Sequence, residues 1–335
     1  MSNNERILDV KDLHTSFFTV AGEVKAVDGI SYHVNRDEIV AIVGESGCGK
    51  SVTQMSLVKL IQMPPGKIKS GEVWFDGKNI AEYPRDSKEM QAIRGEGIAF
   101  IFQEPMTALN PVYTIGNQLI EVIRKHKKCS KKEAHKLAIE ALKDVAIPDP
   151  ESRMNNYPFE LSGGMRQRIL IAIAVACNAK LIVADEPTTA LAVTIQAQVM
   201  ELLQRLVKEK HTSLIIVTHN LGLVTRHAER IYVMYAGKVI ESGKTEDIIV
   251  NPRHPYTKGL LKSVPKLEEE DGVELVPIKG APPSLINLPN HCTFFPRCPY
   301  ATDSCQNRCY PELHKIEGSD EHYVACYLDF EDGEK

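Results

Sequence analysis

The stretch Gly44-Glu45-Ser46-Gly47-Cys48-Gly49-Lys50-Ser51 decides the fold, because it fits the pattern G-x-x-x-x-G-K-[ST]. It directly follows Ile39–Val43, an apolar run rich in branched residues that predicts a strand covered on both faces. A helix is expected to begin near Lys50, since the apolar residues after it recur at helical spacing. Strand, glycine loop and helix together predict an α/β fold with a phosphate-binding loop.

The residue types in the loop indicate what it would bind. Its three glycines allow backbone N–H groups to turn inward and form a concave nest for phosphate oxygens, and the helix start adds a positive dipole end. Lys50 is expected to reach the β and γ phosphates of a nucleotide, and the Ser51 hydroxyl to ligate Mg²⁺. We expect every residue from Gly44 to Val52 to contact the nucleotide. The alternative is a glycine-rich turn without a ligand, which leaves the flanking strand and helix unexplained.

A second apolar run, Leu181–Ala184, ends in two adjacent carboxylates, Asp185 and Glu186. Strand alternation would point these side chains in opposite directions, one toward a metal and the other toward water. A third run, Leu214–Val217, closes on His219. An apolar stripe at helical spacing lies between the two runs, so the order strand, helix, strand predicts a right-handed parallel crossover.

Length and composition fit a folded globular protein. The 335 residues exceed the usual size of one compact core, which predicts one large domain with an appendage. Hydrophobic residues make up 43% and charged residues 25%, and the net charge of −4 gives no overall attraction to nucleic acid. The basic stretch Arg124–Lys132 is interpreted as an exposed helix start, because Ser130 and Glu133 form a capping-box pattern.

No segment predicts a membrane crossing or a secretion signal. The longest apolar run, Ile169–Cys177, is much shorter than the about 20 residues that span a bilayer. The first residues lack the charged-then-apolar pattern of a signal peptide, so we expect the chain to stay in the cytoplasm. Any membrane role would therefore come through partners.

The hydrophobic periodicity and the proline content of the sequence change along the chain. Residues 117–179 have helical periodicity only, which predicts a helical subdomain, about 104–180, inserted into the α/β core. Beyond Gly243, frequent prolines predict a loop-rich extension that needs a staple. The sequence predicts a nucleotide-binding domain over 1–250 and an extension with a cysteine cluster over 251–335. No internal repeat occurs.

Between these regions, Leu161-Ser162-Gly163-Gly164-Met165-Arg166-Gln167-Arg168 resembles the LSGGQ-type signature of ABC (ATP-binding cassette) ATPases. The resemblance implies a P-loop cassette with a RecA-like core, an antiparallel β subdomain and an inserted helical subdomain. It also implies ATP as ligand and Mg²⁺ as cofactor. Ser162, Gly163 and Gly164 would cap the nucleotide held by a second cassette, in a heterodimer or a homodimer.

The same resemblance assigns roles to single residues. Gln103, after the predicted strand Gly97–Phe102, would contact Mg²⁺ and the attacking water. Asp185 would hold Mg²⁺, and Glu186 would be the catalytic base. His219 would contact the γ phosphate, and Phe17 would stack on adenine, although Phe18 lies beside it and an aromatic residue in an edge strand is often merely packed.

One segment departs from the family pattern. Members usually follow the acidic pair with a D-loop ending in Asp, whereas this chain has Ala192 at that place. An alanine side chain cannot accept a hydrogen bond. By this resemblance, the substitution would affect communication between the two cassettes of a dimer rather than ATP binding by this chain.

Two tail segments, Asn251–Thr257 and Cys292–Cys298, resemble the C-terminal extension of dipeptide and oligopeptide permease ATPases, and Asn110-Pro111 resembles their coupling segment. This implies import of peptides at the cytoplasmic face of the membrane. The implied partners are two transmembrane permease subunits, a second ATPase subunit and, indirectly, an extracellular peptide-binding protein. The alternatives are an importer of another substrate such as nickel, or a soluble ABC ATPase acting on nucleic acid or the ribosome.

Five cysteines crowd into the tail with the spacing C-x5-C-x6-C-x3-C-x16-C. In a reducing compartment such crowding favours a metal over disulfides. The gaps are longer than those of most structural zinc sites, and four thiolates suit an iron–sulfur cluster equally well. By resemblance to some peptide-permease ATPases, a [4Fe–4S] cluster would be held by Cys292, Cys298, Cys305 and Cys326, with Cys309 as the spare. Zinc and free thiols are the alternatives.

Overall fold

The computed structural model describes residues 5–189, 191–263 and 277–328. Its internal contacts divide the chain into two units, and each is described by itself. The first unit consists mainly of Glu82–Val217 with Asn35–Glu38. The second unit consists of Leu8–Val34, Ile39–Ala81 and the chain from Thr218 onward. The predicted division into 1–250 and 251–335 follows sequence texture and stays a prediction.

Strands and helices both run through the described chain, with helices alone from 105 to 176. The strands are β1 (Arg6–Thr19), β2 (Gly22–Asn35), β3 (Ile39–Val43), β4 (Gly66–Phe75), β5 (Lys78–Asn79), β6 (Ile98–Ile101), β7 (Leu181–Asp185), β8 (Ser213–Thr218), β9 (Arg230–Tyr235), β10 (Lys238–Lys244), β11 (His314–Lys315) and β12 (Tyr323–Val324). The α-helices are α1 (Lys50–Leu57), α2 (Lys88–Ala92), α3 (Pro105–Ala108), α4 (Ile115–Lys127), α5 (Lys131–Asp144), α6 (Pro150–Arg153), α7 (Gly163–Ala176), α8 (Val193–Lys210), α9 (Leu221–Val224), α10 (Thr245–Val250), α11 (Pro255–Lys262) and α12 (Asp303–Asn307). In the described part of the chain, none of these helices has both the length and the apolar character that crossing a bilayer demands.

The first unit carries parallel strands and a group of helices. Strands β6, β7 and β8 pair in parallel, with Ile98 opposite Leu181 and Asp185 opposite Val217. Helix α8 connects β7 to β8, which confirms the predicted strand, helix, strand order. Helices α4, α5 and α7 contact one another, and the predicted all-helical character of 117–179 is confirmed. Ser130 caps α5 by accepting a hydrogen bond from the N–H of Glu133, as its capping pattern predicts.

The second unit holds the glycine-rich loop. All five residues of β3 are buried, and β3 pairs in parallel with β9, Val43 opposite Val233. Helix α1 begins at Lys50, so the predicted strand, loop and helix are confirmed. A separate antiparallel sheet follows the order β2-β1-β4-β5. The loop therefore leaves the carboxyl end of a buried parallel strand, the place where nucleotide sites of α/β sheets form.

The C-terminal extension is loop-rich, as its prolines predict, and it returns to the sheet. Strand β12 pairs with the edge of β10, and the N–H of Ala325 donates to the carbonyl of Ile240 at 2.8 Å. A second attachment joins the extension to β2, where the N–H of Lys25 donates to the carbonyl of Leu285 at 3.0 Å. These backbone hydrogen bonds make the extension part of the unit that contains the loop.

A buried carboxylate secures this attachment. Glu241 on β10 is fully buried. It accepts backbone hydrogen bonds from Arg253 at 2.6 Å and His254 at 2.9 Å. The Nε2–H of His322 donates to the same carboxylate at 2.8 Å. Because these donors come from both ends of the extension, Glu241 fixes its start and its return strand together.

We predict that Glu241→Gln destabilises the protein, because an amide group would turn an N–H toward one of three buried donors. Losing such a charge-assisted hydrogen bond and burying an unpaired donor costs about 2–3 kcal/mol. Urea unfolding, followed by tyrosine and tryptophan fluorescence, measures the change. Glu246→Gln on the exposed side of α10 is the matched control; equal stability of the two variants would contradict the role given to Glu241.

Candidate nucleotide-binding site

The glycine-rich loop is shaped by close backbone packing. Gly44 and Gly49 have φ of 155° and 101°, and a Cβ at either position would collide with a backbone carbonyl oxygen, that of Met234 or Ala26. Gly47 also has a positive φ, 80°, but a Cβ there would meet open space. The first and last of the predicted glycines are therefore fixed by packing, and the middle one only by its backbone conformation.

Lys50 lies at the start of α1 with its ammonium group folded onto the loop. Its side chain is buried, and its Nζ donates to the carbonyl oxygens of Gly44 at 2.7 Å and Glu45 at 3.0 Å. Ser46 and Gly47 are exposed at the tip of the loop, whereas Cys48 is buried beneath it. Ser51 and Val52 are half-buried in the first turn of α1. The loop thus presents a cation and a helix N-terminus, an arrangement suited to phosphate.

The extension holds the loop at Glu45, and the sequence analysis does not predict this contact. The guanidinium of Arg297 bonds both carboxylate oxygens of Glu45, at 2.7 Å and 2.9 Å. The backbone N–H of Glu45 donates to the hydroxyl of Tyr256 at 2.8 Å. Both tail residues belong to segments that the sequence marks only as family features, and no pattern in the sequence pairs them with the loop.

Two further predicted residues lie in the second unit. Phe17 is half-buried on β1, pairs with Gly66 of β4 and packs its ring against that glycine, while Phe18 is 49% exposed. His219 directly follows β8 and is exposed. The next residue, Asn220, caps α9 through its side chain. Phe17 therefore has a packing role in addition to the adenine contact predicted for it.

The acidic pair lies in the first unit at the end of β7. Asp185 and Glu186 are 9% and 7% exposed. The strand ends at Asp185, and Glu186 adopts a left-handed backbone with φ 48°. The hydroxyl of Thr189 donates to the carboxylate of Glu186 at 2.9 Å, and the N–H of Glu186 donates to Val217 at 2.8 Å. The explanation by strand alternation is therefore wrong, because this turn, and not the pleat of a strand, sets the direction of Glu186.

Among the other first-unit residues, Gln103, Ser162 and Gly163 are exposed and Gly164 is half-buried. Gln103 follows β6, which ends at Ile101 rather than at the predicted Phe102. Ser162 caps α7 by accepting a hydrogen bond from the N–H of Met165 at 3.4 Å. Gly163 and Gly164 form the first turn of this helix, so the signature segment presents a helix N-terminus at the surface.

The D-loop departure has a local structural effect. Ala192 is the N-cap residue of α8 and provides no side-chain hydrogen bond to the first turn. An Asp at this position would cap the helix, and its absence costs about 1 kcal/mol. The neighbouring Ala190 lies outside the described residues.

Comparison with known proteins identifies the family. The ABC transporter profile matches residues 27–189, and the profile of the oligopeptide/dipeptide transporter C-terminal region matches residues 240–305. The oligopeptide transport ATP-binding protein OppD of Bacillus subtilis is 51% identical over 96% of this chain and 89% of its own length. This chain belongs to the ABC transporter ATP-binding proteins.

Further relatives agree with this assignment. The dipeptide transport ATP-binding protein DppD of Bacillus subtilis is 49% identical over 97% of this chain and 95% of its own length. Among solved structures, the dimeric ATP-binding cassette MJ0796 in a post-hydrolysis state with ADP and Pi has a TM-score of 0.63 and 30% identity, and the match covers 71% of this chain and 98% of that cassette. The predicted fold class, an α/β P-loop ABC cassette with a C-terminal extension, is confirmed.

The extension of this ABC protein gathers its cysteines around one pocket. Cys292, Cys298, Cys305 and Cys326 all line it, together with mainly apolar residues that include Phe294, Phe295 and Leu328. Cys309 is exposed and is not among the lining residues. The structure therefore brings together the four cysteines that the sequence groups and leaves the fifth apart.

The pocket raises the pKa of three of its thiols. Burial, with a smaller contribution from neighbouring thiols, raises the pKa of Cys298 to about 11 and that of Cys326 to about 12. Burial also raises the pKa of Cys292 and lowers that of His254, which lines the same pocket, to about 4. Thiols with such pKa values are poor nucleophiles at neutral pH. No group of three or more His, Cys, Asp or Glu residues has a metal-binding arrangement within the described ranges.

We predict that Gly49→Ala abolishes nucleotide binding, whereas Gly47→Ala weakens it only moderately. Both substitutions impose a left-handed backbone on alanine, which costs about 1–2 kcal/mol, but only the Gly49 variant also drives a Cβ into the carbonyl of Ala26. Equilibrium binding of a fluorescent ATP analogue measures the difference. Similar affinities for the two variants would show that packing against Ala26 does not shape the loop.

Proposed function

We propose that this chain binds and hydrolyses ATP to drive a membrane importer of dipeptides or oligopeptides. The observation that carries the proposal is the built phosphate loop, with buried Lys50 at the start of α1. The names of relatives such as OppD and DppD, which match over nearly the whole chain, support peptides as the transported class. The match to the oligopeptide/dipeptide C-terminal region also favours peptides over nickel.

The loop residues would bind the triphosphate. Backbone N–H groups of the loop residues would surround the phosphate oxygens, apart from that of Glu45, which is bonded to Tyr256. The Lys50 ammonium, held by the carbonyl oxygens of Gly44 and Glu45, would direct its remaining N–H toward the β and γ phosphates. The Ser51 hydroxyl, in the first turn of α1, would ligate Mg²⁺. The residue types present fit Mg²⁺, because hydroxyl and carboxylate oxygens are the ligands it prefers in such sites.

The remaining residues would support the attack of water on the γ phosphate. Glu186, buried and oriented by Thr189, would act as the base, and Asp185 would hold Mg²⁺. Gln103 would contact Mg²⁺ and the water, and His219 the γ phosphate. Phe17 would stack on adenine. Phosphoryl transfer depends mainly on positioning and charge neutralisation, which these groups supply without covalent chemistry.

The signature helix would act on a second cassette. Ser162, Gly163 and Gly164 form the N-terminus of α7, which would contact the γ phosphate of another molecule's nucleotide. Closure of two cassettes on two ATP molecules would move two permease subunits from the cytoplasmic face of the membrane, and an extracellular binding protein would supply the peptide. A soluble ABC ATPase acting on nucleic acid fits less well, since the net charge is −4.

We predict that Glu186→Gln retains ATP binding, traps a closed dimer and lowers hydrolysis at least tenfold, a loss of about 1.4 kcal/mol or more of transition-state stabilisation. The amide keeps the shape and the hydrogen bond from Thr189 but cannot act as a base. Steady-state phosphate release and size-exclusion chromatography with ATP measure the two effects.

Uptake of a labelled tripeptide, in cells that have this variant as their only copy, should fall with hydrolysis. The matched control is Glu201→Gln on the exposed face of α8, which should leave ATPase activity and uptake unchanged. Wild-type hydrolysis in the Glu186 variant would overturn the catalytic assignment. Loss of hydrolysis with unaffected tripeptide uptake would overturn peptide import as the coupled process.

We also propose that the cysteine pocket holds a [4Fe–4S] cluster as a structural staple, with zinc as the alternative. Four cysteine sulfurs around one apolar pocket fit the cluster's donor set. Within the described residues, the helices of the extension are short and its strands have two residues each. Cys292, Cys298, Cys305 and Cys326 would be the ligands. The group would supply cross-links to a chain segment that builds little core of its own.

We predict that anaerobically purified protein shows visible sulfur-to-iron charge-transfer absorption and about four irons per chain. Cys298→Ser should lose most of both, because it removes one of four ligands from the pocket. Cys309→Ser is the matched control and should retain both, since Cys309 does not line the pocket. One zinc per chain without visible absorption would support the alternative metal. Purified protein that contains neither iron nor zinc would refute the staple.

A further inference from the structure

A bidentate ion pair in the second unit joins the C-terminal extension to the phosphate loop. All three polar groups of Glu45 are occupied: the carboxylate by Arg297, the N–H by Tyr256 and the carbonyl by the ammonium of Lys50 at 3.0 Å. The residue thus lies between the extension on one side and the phosphate-binding lysine on the other. Any shift of Glu45 would move a carbonyl to which Lys50 is bonded.

Burial and several hydrogen bonds restrain the side chain of Arg297. Its side chain is only 5% exposed, and it bonds Glu45 through both terminal nitrogens in the bidentate manner that suits a planar guanidinium. Its Nε donates to the carbonyl of Lys279 at 3.0 Å, and Nη2 also donates to that of Gly280 at 3.3 Å. With the donors of this group distributed over carbonyls and a carboxylate, the guanidinium has little freedom to turn.

Tyr256 is equally constrained. It is fully buried, and its ring packs against Tyr235 and Phe294 at centroid distances of 4.7 Å and 5.5 Å. Its N–H donates to Nδ1 of His254 at 3.0 Å. The hydroxyl that accepts the hydrogen bond from Glu45 is therefore fixed by an aromatic cluster, and rigid supports of this kind hold a neighbouring site in one geometry.

We propose that Arg297 and Tyr256 are positioning residues that hold Glu45, and through it Lys50, in the conformation that binds nucleotide. The inference rests on the proposed function, since it concerns the ATP affinity of the same loop. If the loop is already ordered, nucleotide binding does not have to bear the entropic cost of ordering it. The two residues should therefore affect the Kd for nucleotide rather than the rate of the chemical step. The extension is therefore part of the nucleotide site.

The test compares the full-length wild-type chain with Arg297→Gln and Tyr256→Phe. Arg297→Gln should raise the Kd for MgATP about tenfold, because it removes a bidentate charged contact, and Tyr256→Phe about threefold, because it removes one neutral hydrogen bond. KM should rise in parallel, while kcat at saturating ATP changes less than about twofold. Arg308→Gln, an exposed arginine of the same extension, is the matched control and should change neither.

A double-mutant cycle separates positioning from general stability. If Arg297 acts through Glu45, Glu45→Gln and Arg297→Gln combined should raise Kd no more than Arg297→Gln alone. Additive effects, or a lowered Tm with unchanged Kd in both the Arg297 and the Tyr256 variant, would overturn the inference. If Arg297→Gln fails to fold, a wild-type Kd in Tyr256→Phe would overturn the inference by itself. Wild-type protein that binds no MgATP would instead refute the proposed function.

Discussion

Backbone packing at both ends of the phosphate loop is the constraint on which the second unit depends. Gly44 lies against the carbonyl of Met234 in β9, and Gly49 lies against that of Ala26 in β2. Because neither position has room for a Cβ, the parallel pairing of β3 with β9 fixes the start of the loop, and β2 fixes its end. These contacts position the Lys50 ammonium and the first turn of α1. The geometry of the proposed phosphate site therefore depends on strand packing.

The extension adds a second set of constraints to the same loop. Its return strand β12 extends the sheet at β10, and the buried Glu241 ties the two ends of the extension together. A single 3-10 turn, Phe295–Arg297, then lies between the pocket-lining Cys292 and Cys298 and carries the arginine that bonds Glu45. One short segment therefore connects the cysteine pocket with the loop, so the proposed staple in the tail would also bear on the proposed nucleotide site.

The elements that could be predicted from the sequence have local signals. The apolar runs of β3, β7 and β8 each fall within one strand, and the structure has these strands within one residue of the predicted bounds. The contact between Glu45 and Arg297 joins residues 252 positions apart, and no periodicity or spacing relates them. Glu241 likewise accepts hydrogen bonds from Arg253, His254 and His322, the last of them 81 positions away. Long-range polar pairs of this kind depend on tertiary structure.

The backbone of Glu186, the proposed catalytic base, is held against its local conformational preference. A left-handed conformation in a non-glycine residue is strained by about 1–3 kcal/mol and persists only when its surroundings fix it. Here the N–H of Glu186 is bonded to Val217 of β8, and Thr189 bonds its carboxylate. Fixing the residue at both its backbone and its side chain offsets the strain, which a merely solvated acid at a strand end would not require. The helix that follows begins at Ala192 without a side-chain cap, but the turn before it is held from inside the helix, because the side chain of Gln196 donates to the carbonyl of Leu191 at 3.0 Å.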